Sequence, residues 1–275
     1  MRVDSHVHVW DLAARDQPWT ASLDPLRRSF SLSDLAPSLE AYGIDGVVLV
    51  QTVCVAEETP ELLTLAARDA RVAGVVGWVD LRRPGVAEQL AALRAAPGGE
   101  RLVGIRHQVQ DEEDPRWLCR SDVRRGLRAV ADARLVYELV VRPPQLEGVL
   151  ETVAALPQLR FVLDHGAKPD LSVRPAARWR SQMSALGSHP NAVAKLSGLT
   201  SAAPPRWTVS SLRPFAETLI EAFGPQRLMF GSDWPVCLLG GGYDVTVQAA
   251  EQWVREGREF VFGDTAQRVY GLGAG

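Results

Sequence analysis

The chain alternates between short runs of apolar residues and longer segments whose apolar residues recur every three or four positions. The short runs hold Val, Ile, Leu and Phe in succession, which is typical of strands that are buried on both faces. They predict eight strands, at residues 2–9, 45–51, 72–79, 102–109, 135–141, 160–164, 192–196 and 227–231.

The intervening segments have helical periodicity, as in Leu62, Leu63, Leu65 and Ala66. They predict helices at residues 31–41, 57–69, 86–96, 121–133, 145–156, 176–186, 211–223 and 245–256, and a short last helix around 264–270. Eight strand–helix units in about 250 residues are typical of a (β/α)8 barrel, here a single domain over residues 1–275. An open doubly wound α/β sheet is the alternative, but it would normally show a Gly-rich phosphate-binding turn after the first strand, which this sequence lacks.

Composition narrows the class of protein. Of the 275 residues, 46% are hydrophobic and 23% charged, and the formal net charge is -3, so we expect a folded chain without affinity for nucleic acid. No apolar run approaches the ~18–20 residues of a membrane span, and the N-terminus does not resemble a signal peptide. The three cysteines are too few for a disulfide framework. These features predict a cytoplasmic protein without a membrane partner, and they leave open whether it forms a homo-oligomer.

Candidate chemistry lies where the strands end, because the active site of a (β/α)8 barrel is at the C-terminal ends of its strands. His6 and His8 are two residues apart on the first strand, so both should lie on one face, with Asp4 below them. His165 follows the sixth strand and Asp233 the eighth. Two imidazoles and a carboxylate can hold a metal ion or polarise a carbonyl. The alternatives are buried histidines with satisfied hydrogen bonds and an aspartate that caps a turn.

Several motifs together resemble one family. They are Asp4-Ser5-His6-Val7-His8, Leu163-Asp164-His165-Gly166-Ala167-Lys168-Pro169 and Phe230-Gly231-Ser232-Asp233-Trp234-Pro235, supported by residues 104–110, 195–199 and 263–266. From about residue 1 to 272 the chain resembles the amidohydrolase superfamily, and most closely its amidohydrolase-2 branch of sugar-lactone hydrolases.

The resemblance implies a hydrolase that opens the ring of a small aldonolactone, such as a fucono- or rhamnono-lactone. Asp233 would be the general base that takes a proton from water. His6, His8 and His165 would stabilise the developing oxyanion, directly or through a metal.

Substrate contacts are expected from Arg106 and His107 on the fourth strand, Tyr137 on the fifth and Lys168 after His165. Arg106 could bind a hydroxyl, a ring oxygen or a carboxylate, or could instead form a salt bridge to Asp80 or Glu138. An aromatic ring can stack on a sugar but more often packs in a core. The long segment 11–30 follows the first strand and is expected to lie over the mouth of the barrel.

The metal content is predicted from departures from the family pattern. Members with two metals bridge them with a lysine on the fourth strand and use a histidine on the fifth. Here the fourth strand offers Arg106 and His107, and the fifth offers Tyr137 and Glu138, so a two-metal centre is not expected. Two options stay open: no metal, or one divalent ion, zinc first, held by His6, His8 and Asp233 with Glu138 or His165.

Two other functions are compatible with these residues. One is a zinc-dependent decarboxylase or hydratase of the same superfamily branch, which uses a similar His-x-His pair and terminal aspartate. The other is a catalytically inactive barrel that serves as a binding module. Three histidines and an aspartate in inward register argue against the inactive barrel.

Overall fold

The computed structural model describes residues 1–273, which form an eight-stranded parallel barrel whose strand order follows the chain. The strands are β1 (Val3–Val7), β2 (Gly46–Val50), β3 (Val72–Gly77), β4 (Leu102–His107), β5 (Val136–Leu139), β6 (Phe161–Leu163), β7 (Ala192–Leu196) and β8 (Leu228–Phe230). The (β/α)8 prediction is therefore confirmed, with most strands shorter than predicted. The domain over residues 1–275 stays a prediction, and its last two residues lie outside the described part.

Helices follow the strands and cover the outside of the barrel. They are α1 (Leu32–Ala41), α2 (Glu58–Ala66), α3 (Val86–Ala95), α4 (Ser121–Asp132), α5 (Leu146–Ala155), α6 (Ala177–Gly187), α7 (Val209–Phe223), α8 (Tyr243–Trp253) and α9 (Thr265–Tyr270). Every predicted helix is present with ends shifted by a few residues. In α1, Ser31 caps the first turn together with Asp34.

Alternate residues of each strand serve two different cores. Outward residues such as Val47 and Leu49 pack against the helices. Inward residues at the N-terminal end of the barrel form a second apolar cluster. Ala266 and Val269 of α9, together with Leu272 after the helix, cover this cluster. Both faces of each strand are thus buried, which explains the continuous apolar runs in the sequence. The inward positions at the C-terminal end are left for polar side chains.

Strand β1 is irregular, and this corrects one prediction. In its pairing with β2, Asp4 lies opposite Val47 and Val7 lies opposite Leu49. Over this stretch β1 therefore has one residue more than β2. The extra residue makes a bulge. Side chains before the bulge therefore lie on the opposite face from the one that regular alternation would give them. Asp4 therefore does not lie below His6 and His8. It accepts hydrogen bonds from the backbone N–H groups of His6 and Ser232 at 3.2 and 2.9 Å.

The barrel closes through the segment that follows β8. A parallel bridge joins Val7 to Trp234. The backbone N–H of Asp233 donates to the carbonyl of His6 at 2.9 Å, and that of His8 donates to the carbonyl of Trp234 at 2.7 Å. This closing seam places Asp233 beside His6 of β1 and His8, which directly follows β1.

Cys54, Cys119 and Cys237 are all free thiols. Within residues 1–273, no helix combines the length and the apolar character that crossing a membrane requires.

The contact of α4 with the segment that follows β3 yields a stability prediction. A Cβ atom at Gly126 would lie 2.3 Å from the backbone oxygen of Leu81, and backbone gives way poorly. We expect Gly126→Ala to lower the free energy of unfolding by about 1–3 kcal/mol through overpacking, measured by chemical denaturation. Arg128→Ala, at an exposed position of α4, is the control and should change stability by less than about 0.5 kcal/mol. Equal stability of Gly126→Ala and the wild type would contradict the close contact.

Candidate active site

Four predicted residues come together at the C-terminal end of the barrel. The Nε2 atoms of His6 and His8 are 3.1 Å apart. Asp233 Oδ1 lies 3.8 Å from His6 Nε2, 3.5 Å from His8 Nε2 and 3.9 Å from His165 Nε2. All four side chains are buried. One carboxylate oxygen, from the segment after β8, thus faces three imidazole nitrogens. The imidazoles come from β1, from the residue that follows it and from the segment after β6.

The backbone that carries these groups has an unusual conformation. His165, Gly166, Ala167 and Lys168 all have positive φ, between 51° and 61°, and so does Asp233 at 59°. Such angles cost L-residues free energy, and they persist where the surrounding structure imposes them, often at functional sites. The left-handed turn at 165–168 places His165 and Lys168 on the same cavity.

Two glycines make room for the imidazoles. A Cβ atom at Gly231 would lie 2.6 Å from the Cβ of His6, and one at Gly198 would lie 2.6 Å from the ring of His165. Any larger residue at these positions would displace a histidine of the cluster.

The charge states follow from burial and from the neighbours. Burial lowers the pKa of His165 to about 4. Burial, with the nearby Lys195 ammonium, lowers the pKa of His6 well below its usual range. Both rings are therefore neutral near pH 7, and not cationic. Burial alone would raise the pKa of Asp233, but the three histidines outweigh it and hold this pKa below its usual range. The carboxylate is ionised, as a general base must be.

Hydrogen bonds orient the cluster. His8 Nδ1 lies 2.7 Å from the carbonyl oxygen of Val50, which can only accept, so Nδ1 carries a proton and donates it to that carbonyl. His165 Nδ1 contacts Ser197 Oγ at 2.9 Å. Ser201 Oγ donates to Asp233 Oδ2 at 2.9 Å, which leaves Oδ1 facing the imidazoles.

Part of the donor set has the spacing expected of the ligands of one tetrahedral metal ion. An ion with bonds of about 2.0–2.1 Å to nitrogen and oxygen has ligand atoms about 3.4 Å apart. Asp233 Oδ1 lies 3.5–3.9 Å from the three imidazole Nε2 atoms, and the Nε2 atoms of His6 and His8 are 3.1 Å apart. His6, His165 and Asp233, without His8, form one compact potential ligand group. Imidazole and carboxylate donors suit zinc among other divalent ions.

A second group of potential ligands already contains a cation. His6, Glu138 and Asp164 also lie close enough together to hold an ion. The ammonium of Lys195 occupies the space between them, 2.7 Å from Glu138 Oε1, 3.0 Å from His6 Nδ1 and 3.3 Å from Asp164 Oδ1. Glu138 is thus paired with Lys195 deeper in the barrel, and the fourth donor near Asp233 is His165. Lys195 itself has no exposed surface.

A cavity of about 110 Å³ opens above the cluster. Predicted residues on its wall are His8, His165, Asp233, Arg106 and Lys168. Trp19, Thr52 and Gln110 also line it and were not among the predicted site residues. Trp19 lies in the segment 11–30, which does reach the mouth of the barrel as expected. A larger cavity of about 680 Å³ lies at the opposite end of the barrel, and no residue of the histidine–aspartate cluster lines it.

The two cations of the cavity differ in their freedom to bind a substrate. Arg106 is buried, and its guanidinium donates to Asp164 Oδ2 at 3.0 Å and to the carbonyl and side-chain oxygens of Gln51 at 2.5 and 3.1 Å. The expected salt bridge to Asp80 or Glu138 is thus replaced by one to Asp164. The Lys168 ammonium makes one hydrogen bond in the described structure, to Gln110 Oε1 at 2.5 Å. Its pKa is lowered by burial.

Two predicted substrate residues are not on this cavity, and the reason is strand alternation. Arg106 and Glu138 point into the barrel, so their neighbours His107 and Tyr137 point outward. His107 stacks on Trp117 with ring centroids 4.3 Å apart, accepts from Trp78 and contacts Glu112 at 2.8 Å. Tyr137 belongs to the core under the helices and is fully buried. Both predicted placements are therefore wrong.

Comparisons with known proteins agree with this geometry. The family model described as "Amidohydrolase" matches residues 3–272. A protein named L-fucono-1,5-lactonase from Burkholderia multivorans is 39% identical over 99% of this chain and 96% of its own length. A protein of the same name from Burkholderia ambifaria is 36% identical over 88% of this chain and 83% of its length. The crystal structure of a Burkholderia multivorans amidohydrolase with bound zinc is 37% identical, covers 99% of both chains and has a TM-score of 0.92.

The Lys195 contacts yield a prediction of metal content. Because an ammonium ion occupies the second ligand group, we expect at most one divalent ion per chain. Elemental analysis of protein purified without chelator and incubated with zinc, then desalted, measures this ratio. Two equivalents of zinc retained in the wild type would contradict the prediction.

Proposed function

The chain belongs to the amidohydrolase family, and we propose that within this family it hydrolyses a small sugar lactone, with Asp233 as general base. The observation that carries the proposal is the ionised carboxylate that faces three imidazoles beneath a small cavity with polar walls. The names of the relatives supply the substrate class, an aldonolactone such as L-fucono-1,5-lactone.

The proposed reaction requires one general base and one water molecule. A lactone is an ester whose leaving alkoxide stays tethered to the acyl group. Asp233 Oδ1 takes a proton from a water molecule as the water attacks the carbonyl carbon. The ring C–O bond then breaks, and Asp233 returns the proton to the departing ring oxygen. Ser201 holds the other carboxylate oxygen and so keeps Oδ1 aimed at the water.

Polar groups around the carbonyl would stabilise the negative charge that develops on its oxygen. His6 and His165 are neutral imidazoles beside Asp233, and the Lys168 ammonium lies on the cavity wall. Such groups act strongly in a site that is shielded from water. The ring of Trp19, on the same wall, offers an apolar face for the sugar.

One divalent ion, if bound by His6, His8, His165 and Asp233, would supply Lewis-acid polarisation of the carbonyl. Lactone opening is also chemically accessible with the chain's own groups, so the proposal does not depend on the ion.

A panel of aldonolactones tests the function. Acid release from each lactone is followed with and without chelator, next to a dipeptide panel, a phosphoester panel and aromatic carboxylic acids. We expect turnover of at least one five- or six-membered sugar lactone. Turnover of the dipeptides or phosphoesters with no lactone opened would refute the proposal, and carbon dioxide release from an aromatic acid would favour the decarboxylase alternative.

Asp233→Asn tests the general base. The amide keeps the shape of the side chain but accepts a proton poorly, and general base catalysis supplies about 10²–10⁴-fold. We expect kcat for the lactone to fall at least about 100-fold while the circular dichroism spectrum is unchanged. Asp170→Asn removes an exposed carboxylate on the loop after His165 and should keep wild-type kinetics. Activity near the wild-type level in Asp233→Asn would assign the base to another group.

Lys168→Met tests substrate binding. Lys168 is the cation on the cavity wall with the fewest bonds to the protein, so its proposed role is to bind a lactone oxygen in the ground state. We expect KM to rise more than kcat falls, measured by steady-state kinetics on the best lactone of the panel. A fall in kcat at constant KM would instead place Lys168 among the groups that act only in the transition state.

A further inference from the structure

The cavity at the N-terminal end of the barrel carries a concentration of positive charge that the proposed reaction does not use. Its volume of about 680 Å³ is in the range typical of small-molecule sites. Its wall includes five arginines, Arg94, Arg101, Arg134, Arg160 and Arg268. The one carboxylate side chain among the described lining residues is that of Glu100. Because the whole chain has a formal net charge of -3, this excess of cations is local.

The order of the strands explains why these arginines meet. Arg101 directly precedes β4, Arg160 directly precedes β6, and Arg134 lies two residues before β5. These three strands are neighbours in a parallel sheet, so their N-terminal ends lie side by side. Arg94 comes from the last turn of α3, and Arg268 comes from α9, which covers this end of the barrel. Five separate segments of the chain thus contribute a cation to one concave surface.

These cations lack the counter-charges that arginines have elsewhere on the surface. Arg15 pairs with Glu61, and Arg116 pairs with Glu151. Within residues 1–273, none of the five guanidinium groups on the cavity lies within 4.0 Å of a carboxylate oxygen. The cavity therefore has a net positive charge that the described part of the chain does not neutralise.

The guanidinium groups also keep hydrogen-bond donors available. Arg160 donates to the carbonyl of Val269 at 3.1 Å, and Arg268 donates to the carbonyl of Gln226. The side chains of the other three arginines donate no hydrogen bond to any of the described residues. Burial and the neighbouring Arg268 lower the pKa of Arg160, so these two cations are close enough to repel each other. A bound anion would relieve this repulsion and use the open donors.

The helix dipole is the competing explanation. Cations are favourable near the C-terminal ends of helices, and the helices between the strands end on this side of the barrel. This effect accounts for Arg94 and Arg268, which lie in last turns, and for Arg134 just after α4. It does not account for Arg101 and Arg160, which directly precede strands, nor for the convergence of all five on one cavity.

The chemistry of the wall defines the class of ligand. A guanidinium group presents pairs of N–H donors that match the oxygens of phosphate and carboxylate groups. Cations distributed around a concave wall favour a ligand with several anionic groups, since a single small anion cannot reach all of them. Ala73, Val103 and Leu272 supply apolar surface between the cations.

We propose that this cavity binds a small polyanion, a molecule that carries several phosphate or carboxylate groups. The cavity and the catalytic one share no lining residue in the described part of the chain. The polyanion site is therefore a second small-molecule site, which can be filled while the catalytic cavity is occupied. It does not depend on the proposed lactone hydrolysis.

The backbone supplies a variant that should remove charge without harming the fold. Arg134 has a left-handed conformation with φ of 56° just after α4, and Gly43 has φ of 59° at the equivalent position after α1. Glycine adopts this conformation at the lowest cost, so Arg134→Gly should keep the helix end intact. Combined with Arg101→Gln, it removes two of the cations whose side chains have no hydrogen bond to the described residues.

The matched control is Arg83→Gln combined with Arg128→Gln. It removes the same charge from two exposed positions that do not line the cavity. Circular dichroism and thermal melting check that both double variants fold.

Isothermal titration calorimetry of the full chain at physiological ionic strength tests the proposal. The probes are tripolyphosphate for phosphate groups, tricarballylate for carboxylate groups, and inorganic phosphate as a comparison of lower charge. We expect one or both polyanions to bind at one per chain and more tightly than inorganic phosphate. The probe that binds more tightly identifies the anionic group that the cavity prefers.

The variants locate the site. Affinity should fall at least about 10-fold in Arg101→Gln/Arg134→Gly, because one hydrogen bond between charged groups contributes about that much. It should stay within about twofold in the control, since charges beyond a Debye length are largely screened. Lys168→Met, which alters the catalytic cavity at the opposite end, should keep the affinity of the wild type.

Three results would overturn the inference. One is that neither polyanion binds. Another is that binding persists in Arg101→Gln/Arg134→Gly, as it would if tripolyphosphate only removed a metal ion from the protein. The last is that binding is lost in Lys168→Met, which would place the polyanion at the catalytic cavity. None of these results depends on whether the protein opens a lactone, so this inference and the proposed function fail separately.

Discussion

The site depends on the seam that closes the barrel. Two backbone hydrogen bonds, from Asp233 N–H to His6 and from His8 N–H to Trp234, join the first strand to the segment after the last one. Without this closure the residues at positions 6 and 233 would have no reason to meet, since 227 positions separate them along the chain. With it, the carboxylate and the two imidazoles lie within 3.8 Å of one another. The bulge in β1 belongs to the same arrangement, because it turns His6 and His8 inward while Asp4 binds the backbone of the seam.

A second constraint is that charges inside a barrel must be paired. Lys195, Arg106, Glu138 and Asp164 are all buried, and an unpaired charge there would be costly. The structure satisfies them by a layer in which each cation contacts at least one carboxylate. This layer separates the apolar cluster near α9 from the cluster of histidines. The layer is polar, like the site above it, and it links His6 to Lys195, Glu138 and Asp164, which do not line the cavity.

The residues around the cavity are held in place by three different parts of the chain. His6 lies in β1, and His8, which follows it, is held by its backbone bond to Trp234. His165 and Lys168 are placed by a left-handed turn of four residues. That conformation costs free energy, which the packing around Gly166 and the bond from Trp179 to its carbonyl help to offset. The closing wall comes from the segment after β1, where Trp19 lies above the cluster.

The sequence by itself determined the barrel, its eight strands and the four residues that meet at its mouth, because these depend on local periodicity and on the order of the strands. Strand alternation could also have excluded His107 and Tyr137, since Arg106 and Glu138 are their neighbours and only one residue of each pair can face inward. The bulge that separates Asp4 from His6 gave no such local signal. Only the tertiary structure decided the pairing of Arg106 with Asp164, the position of Lys195 below His6, and the contacts of Ser201 and Trp19. These depend on side chains from distant strands and loops, whose meeting is set by the closure of the barrel and not by any spacing along the chain.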